Sequence, residues 1–195
     1  IIGVDLAKRV FQVHGASIAG EVKFRKKLTR EQFRLFIAQQ PPSVVVFEAC
    51  GSANYWAREV EKVGHEPKLI APQYVRPFVK RQKNDTTDAE AIVIAARQPE
   101  MRFVLPKTAE QQAKAVLFRN RERLVRQRTE LVSALRSALY EYGHVFPIGL
   151  AHLKRMDALV QSSDCDLPSL IITECQQLLA QIVETTEKIT AKTNR

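Results

Sequence analysis

The chain begins with short apolar runs broken by small residues: Ile1-Ile2-Gly3-Val4-Asp5-Leu6, then Val10-Phe11-Gln12-Val13-His14-Gly15-Ala16, then the alternation Glu21-Val22-Lys23-Phe24-Arg25. Period-two patterning separated by small or Gly-containing turns predicts three antiparallel strands in a meander. The period then lengthens. Thr29 stands ahead of Phe33, Phe36 and Ile37, with Glu31 in the first turn and Pro41-Pro42 beyond, which predicts a capped helix over 29–40. Ser43-Val44-Val45-Val46-Phe47-Glu48 is a continuous apolar run ending in an acid, the pattern of a central strand buried on both faces. A helix over 52–63, a turn at Gly64 and a strand over 67–71 follow. Strands alternating with helices add parallel strands to the meander, so the expected class is α/β, a mixed sheet with flanking helices.

A third helix is expected from the Asp85 region to about residue 97, then a short edge strand over 101–105, with Pro106 marking a boundary. Residues 108–142 contain neither Gly nor Pro. There Leu117, Leu124, Leu131 and Ala138 repeat every seven residues, with Arg121, Arg128, Leu135 and Tyr142 in the companion positions. Such a helix is about 50 Å long at 1.5 Å per residue. The two arginines in the seam argue for antiparallel packing over a strict zipper. Gly143 and Pro147 end it, a shorter helix is expected over 149–161, and Ile171, Cys175, Leu178, Ile182 and Ile189 predict a last helix lying back along the long one. The expected domains are therefore 1–105, an α/β domain, and 106–195, a long-helix antiparallel coiled-coil region.

Charge narrows the partners. Thirty Lys and Arg against 21 Asp and Glu leave a formal +9, which favours a polyanion; nucleic acid fits better than a membrane, because no long apolar span occurs. Arg76, Lys80, Arg81 and Lys83 interleave with Tyr74 and Phe78 in what reads as an extended segment, a candidate grip on a phosphate backbone. Arg119, Arg123 and Arg126 form a second candidate stripe, whose alternative is a solvated helix face. Cys50, Cys165 and Cys175 lack a C-x-x-C spacing and read as reduced thiols in a cytoplasmic protein, without structural zinc. His14, His65, His144 and His152 lack ligand spacing and are expected at the surface or half-buried. A chain that opens at Ile1 inside a strand, with no initiator Met or signal peptide, reads as a piece of a longer protein.

The candidate chemistry lies in four acids. In Asn84-Asp85-Thr86-Thr87-Asp88-Ala89-Glu90-Ala91-Ile92, Asp85 and Asp88 stand three apart and share a helix face. They form half of a hard-cation site, or else an N-cap and an acidic first turn. Asp5 lies within an apolar strand, where a carboxylate needs a partner or a cation to offset its desolvation. Glu48 ends the Val44 to Phe47 run, at the strand edge where open α/β sheets place their sites.

The order Asp5, Glu48, Asp85, Asp88, in the phrases Ile-Gly-Val-Asp-Leu-Ala-Lys, Phe-Glu-Ala-Cys-Gly and Lys-Asn-Asp-Thr-Thr-Asp-Ala-Glu-Ala-Ile, resembles the DEDD insertion-sequence transposases, the family of the pilin-gene invertases. Arg-Glu-Arg-Leu-Val-Arg-Gln-Arg-Thr at 121–129 extends the resemblance. It implies a RuvC-like, ribonuclease H-like domain, a coiled-coil insertion and a C-terminal domain with a catalytic serine, for which nothing in this chain up to Arg195 provides. It further implies that Asp5, Glu48, Asp85 and Asp88 are catalytic residues that bind divalent metal, Mg²⁺ or Mn²⁺ and two ions by the usual logic of phosphodiester chemistry. DNA is then the substrate, a structured guide RNA from the element a partner in some members, a homodimer or higher homo-oligomer the expected assembly, and the bacterial nucleoid the place of action. Two other functions fit the same residues: a RuvC-like junction nuclease acting through water, and a non-catalytic nucleic-acid-binding dimerisation module.

Overall fold

In the computed structural model, residues 1–79 and 85–194 are described, the side chains of 85–87 excepted. The chain divides into two compact units, Ile1–Gln112 and Ala113–Arg195.

The first unit is a six-stranded mixed sheet in the order β3-β2-β1-β4-β5-β6. Strands β1 (Ile2–Leu6), β2 (Val10–Ala16) and β3 (Val22–Thr29) form the antiparallel meander. Strand β4 (Val44–Glu48) lies parallel to β1, β5 (Glu66–Ile70) parallel to β4, and β6 (Phe103–Val104) closes the edge antiparallel to β5. Helix α1 (Arg30–Ala38) begins with a full capping box: Thr29 Oγ1 accepts from the Gln32 N–H and Gln32 Oε1 from the Thr29 N–H. Helix α1 and helix α2 (Ala53–Lys62) cover one sheet face. Phe33 and Trp56 from these helices meet Phe11 edge to face, with centroids 5.0–5.4 Å apart, amid Ile2, Val4, Val13, Val45 and Phe47.

Helix α4 (Asp85–Ala96) covers the opposite face, with Ala91, Ile92 and Ala95 packed on Val46, Ile70 and Val75. Its approach to β1 depends on Gly3. A Cβ there would stand 2.6 Å from both the Ala89 carbonyl oxygen and Val93 Cγ2. The glycine thereby seats the helix.

Two further expectations are corrected. Residues 72–78 are not extended: Pro72–Val75 form a short helix α3 and Arg76–Phe78 a 3₁₀ turn, because Pro72 and Pro77 both fall in the first positions of helical turns, which suit their fixed φ. His14 and His65 are buried, at 3 and 4% exposure, rather than at the surface. The His65 ring clasps two elements, accepting from the Ser43 N–H at Nδ1 (3.1 Å) and lying 2.8 Å from the Ile37 carbonyl at Nε2.

The connector to the second unit is tied to α2. Arg58 donates to the Lys107 carbonyl (2.7 Å) and to Gln112 (2.9 Å), while Asn54 Oδ1 accepts from the Lys107 N–H (2.8 Å). The compact first unit thereby ends at Gln112, inside the first turn of α5 (Ala109–Glu141).

The second unit is helical. Along α5 the buried positions are Leu124, Val132, Leu135 and Leu139, and the last three pack on α6 (Leu153–Gln161) and α7 (Ser169–Thr193) through Met156, Val160, Cys175, Leu179 and Ile182. Arg121 Nε donates to Thr193 Oγ1 (2.9 Å), so the end of α7 meets the early part of α5 and the two run antiparallel. The heptad reading is corrected by one position over its second half. Val132 and Leu139 are buried while Leu131 and Ala138 are half-buried, because a straight helix of 3.6 residues per turn drifts away from a strict seven-residue repeat. The same drift buries Leu179 where Leu178 was expected and leaves Tyr142 exposed.

Candidate carboxylate site

The parallel register of β1 and β4 decides where the acids go. Gly3 pairs with Val46 and Val4 with Phe47, so the next residues on the two strands are Asp5 and Glu48. Val4 and Phe47 point into the aromatic core, whereas Gly3 and Val46 lie under α4. Alternation along the strands then puts Asp5 and Glu48 side by side on the α4 face, at the carboxyl ends of neighbouring strands about 4.8 Å apart. Asp88 comes from above: it precedes Ala89, whose carbonyl sits over Gly3.

Electrostatics link them. The Glu48 carboxyl is raised above its ordinary range, first by burial, then by the negative charge of Asp88, against a smaller opposing effect of Arg76. A carboxyl whose proton affinity is raised by burial and by a neighbouring negative charge is one that a cation relieves. Arg76, at the start of the 3₁₀ turn, is exposed and its charge acts on Glu48. Asp85 is the first residue of α4. Its side chain lies outside the described residues, as do Lys80, Arg81 and Lys83. Among the described residues, no group of three or more Asp, Glu, His or Cys is drawn close enough to hold a metal ion.

Across the meander, Asp5 pairs with Gln12 and Gln12 with Lys27, which extends the row to Lys27, Gln12, Asp5, Glu48 and Ile70. An open groove of about 460 Å³ lies at the meander end of this row, lined by Asp5, Lys8, Arg9, Gln12 and Lys27. Sequence reasoning missed Lys8, Arg9, Gln12 and Lys27. The signal was present: centring the first hairpin on Lys8-Arg9 sets Asp5 opposite Gln12. Arg119, Arg123 and Arg126 lie in the second unit, exposed at i, i+4 and i+7 of α5. No helix among the described residues is long and apolar enough to cross a membrane.

A six-stranded mixed α/β sheet with flanking helices, and with Asp5 and Glu48 on neighbouring parallel strands, is consistent with a nuclease-like class of fold. Within it, residues 2–144 match the IS110-type DEDD family, described as transposase, and the chain belongs to that family. It is similar to the transposase for insertion sequence element IS1328 of Yersinia enterocolitica, 39% identical over 192 residues that make up 97% of this chain and 57% of the relative. A probable family 20 transposase of Pseudomonas aeruginosa is 54% identical over 142 residues, 73% of this chain and 42% of its own length. A putative transposase of Sinorhizobium fredii is 46% identical over 171 residues, 87% and 43% respectively. The chain thus spans about half the length of these curated relatives.

Proposed function

We propose that this chain is the metal-binding part of an insertion-sequence transposase, in which Asp5, Glu48, Asp85 and Asp88 hold divalent cations, Mg²⁺ or Mn²⁺, for DNA strand cleavage and transfer. The observation that carries the reading is the register row in which Asp5 and Glu48 are neighbours, with the charge of Asp88 acting on Glu48. The first unit is read as a ribonuclease H-like, RuvC-like domain, because its three-stranded meander continues into parallel strands with the acids at their carboxyl ends.

The donor set suits a hard cation: oxygen ligands, mutual repulsion and one carboxyl with a raised proton affinity. Two bound ions supply activation of the attacking oxygen and neutralisation of the leaving one. The protein's own residues do the rest. Gly3 lets α4 sit low enough to bring Asp88 over the strand ends. Arg76 offers a positive charge beside the carboxylates for a phosphate, and Arg119, Arg123 and Arg126 hold more distant phosphates. The α5 and α7 pair acts as an antiparallel coiled coil on which a second copy assembles, in line with the two DNA ends that recombination joins. A structured RNA from the element guides target choice.

The experiment is a comparison of this chain with its Asp5→Asn and Asp88→Asn variants in Mn²⁺ binding and in cleavage of branched and linear DNA. The reading expects saturable Mn²⁺ binding that both substitutions remove. Binding retained in both variants overturns it. Cleavage of branched DNA by water, without strand transfer in the full-length protein, assigns the junction-nuclease alternative.

A further inference from the structure

Gln12 is a polar residue in the middle of an apolar run, on a strand with neighbours on both sides. Its flanks, Phe11 and Val13, face the aromatic core, so alternation puts Gln12 on the α4 face. It is 7% exposed, and its Oε1 is buried with no hydrogen-bond partner among the described residues. A buried amide oxygen without a donor among the described residues is a cost that a leucine or methionine at the same place would not incur. The amide is not filling space for packing alone, since an apolar side chain does that better. Its position indicates the missing donor: Gln12 is the direct cross-strand partner of Asp5, and both line the same groove.

Charge sharpens the choice of donor. Asp5 and Glu48 are neighbours in the register row and the charge of Asp88 acts on Glu48, so a further acid at position 12 would add repulsion, whereas a neutral carbonyl adds an acceptor without it. A small divalent cation dehydrates reluctantly and keeps several waters, each with protons that need acceptors. Such outer partners commonly change metal affinity by about 10–100-fold. We propose that Gln12 is a positioning residue of the cation site, its amide oxygen accepting a hydrogen bond from a water on the divalent ion at Asp5. The inference rests on the reading of Asp5 as a metal ligand and deepens it by adding a residue outside the four acids. Lys27, the cross-strand neighbour on the other side, is the competing donor; it is exposed and lines the open groove.

The test is thermal unfolding of the whole chain in EDTA and across a Mn²⁺ titration, for the unaltered protein and for Gln12→Leu, Gln12→Glu, Lys27→Met and Asp5→Asn. With a water-held cation, Gln12→Leu leaves the metal-free melting temperature equal or higher and weakens Mn²⁺ binding by about tenfold or more. Gln12→Glu lowers the metal-free melting temperature and tightens Mn²⁺ binding, and it decides the matter if the leucine variant fails to fold. Lys27→Met leaves Mn²⁺ affinity unchanged. The proposal is overturned if both Gln12 variants keep Mn²⁺ affinity within about twofold, well short of an outer-partner effect, while Asp5→Asn abolishes it. It is also overturned if Lys27→Met and Gln12→Leu destabilise the metal-free protein alike, which makes the lysine the donor. Unchanged Mn²⁺ affinity in Asp5→Asn is a separate result, the failure of the metal-site reading itself.

Discussion

The two units solve the burial of charge differently. In the first, acids stand at the end of a sheet whose two faces are covered, and the rigidity of the strands holds like charges side by side. In the second, charge is spread along α5, where Arg119, Arg123 and Arg126 reach solvent and only a narrow stripe of Leu124, Val132, Leu135 and Leu139 is sealed. A sheet fixes side chains through hydrogen-bonded register; a helix pair fixes only a stripe and leaves the other side chains free to follow a partner. Under the proposed function the contrast is a division of labour between carboxylates held in fixed register for a cation and a helix face that supplies positive charge.

Disrupting the aromatic core should test the contrast most severely. Trp56→Ala removes the ring that Phe11, Phe33 and Tyr55 pack against and should cost about 3–5 kcal/mol, read by denaturant unfolding, with the metal response disappearing along with the fold. A loss under about 1 kcal/mol, far below the range for a buried aromatic, counts against the sheet as the rigid partner.

Seating α4 comes next. Gly3→Val brings a branched side chain into the Ala89 carbonyl and should cost about 1–3 kcal/mol as an overpacking change, while weakening Mn²⁺ stabilisation by lifting Asp88 from the strand ends. A variant that keeps its Mn²⁺ response would separate helix seating from the site.

Asp5→Asn is expected to do the opposite to stability. With less repulsion at the sheet edge, its metal-free melting temperature should match or exceed that of the unaltered protein, and Mn²⁺ should no longer raise it. A large metal-free loss would make Asp5 structural.

The Glu48 carboxyl gives a pH-dependent version of the same test. Its proton affinity is higher in the folded chain than in the unfolded one, so the folded state binds more protons between those two values and loses stability as pH rises through them. Glu48→Gln should therefore stabilise the metal-free protein at neutral pH, and the advantage should vanish below the ordinary carboxylate range. A gain that persists in acid points to packing instead.

The smallest effect on stability belongs to the second unit. Replacing Arg119, Arg123 and Arg126 with Gln should change folding by no more than about 0.5 kcal/mol. The same change should flatten the slope of log DNA affinity against log salt by up to about 0.9 for each phosphate that is no longer neutralised. An unchanged slope returns this face to simple solvation.

What the sequence determined by itself was the part of the structure that local period and composition control. Alternation at 10–16 and 21–25, the run at 44–48 and the Gly- and Pro-free span of 108–142 specify strand or helix because side-chain period follows backbone geometry directly. The cap at Thr29 was readable from its place just ahead of a helical apolar period, and so was Glu48 at the end of its strand. The tertiary structure alone decided which chemistry stands beside which. Gln12 gains meaning only from its pairing with Asp5, and His65 only from Ser43 and Ile37, residues 22 and 28 positions away. Likewise, whether α5 buries Leu131 or Val132 depends on where α6 and α7 lie, since either residue continues an apolar stripe and only the covering helices exclude water from one of them.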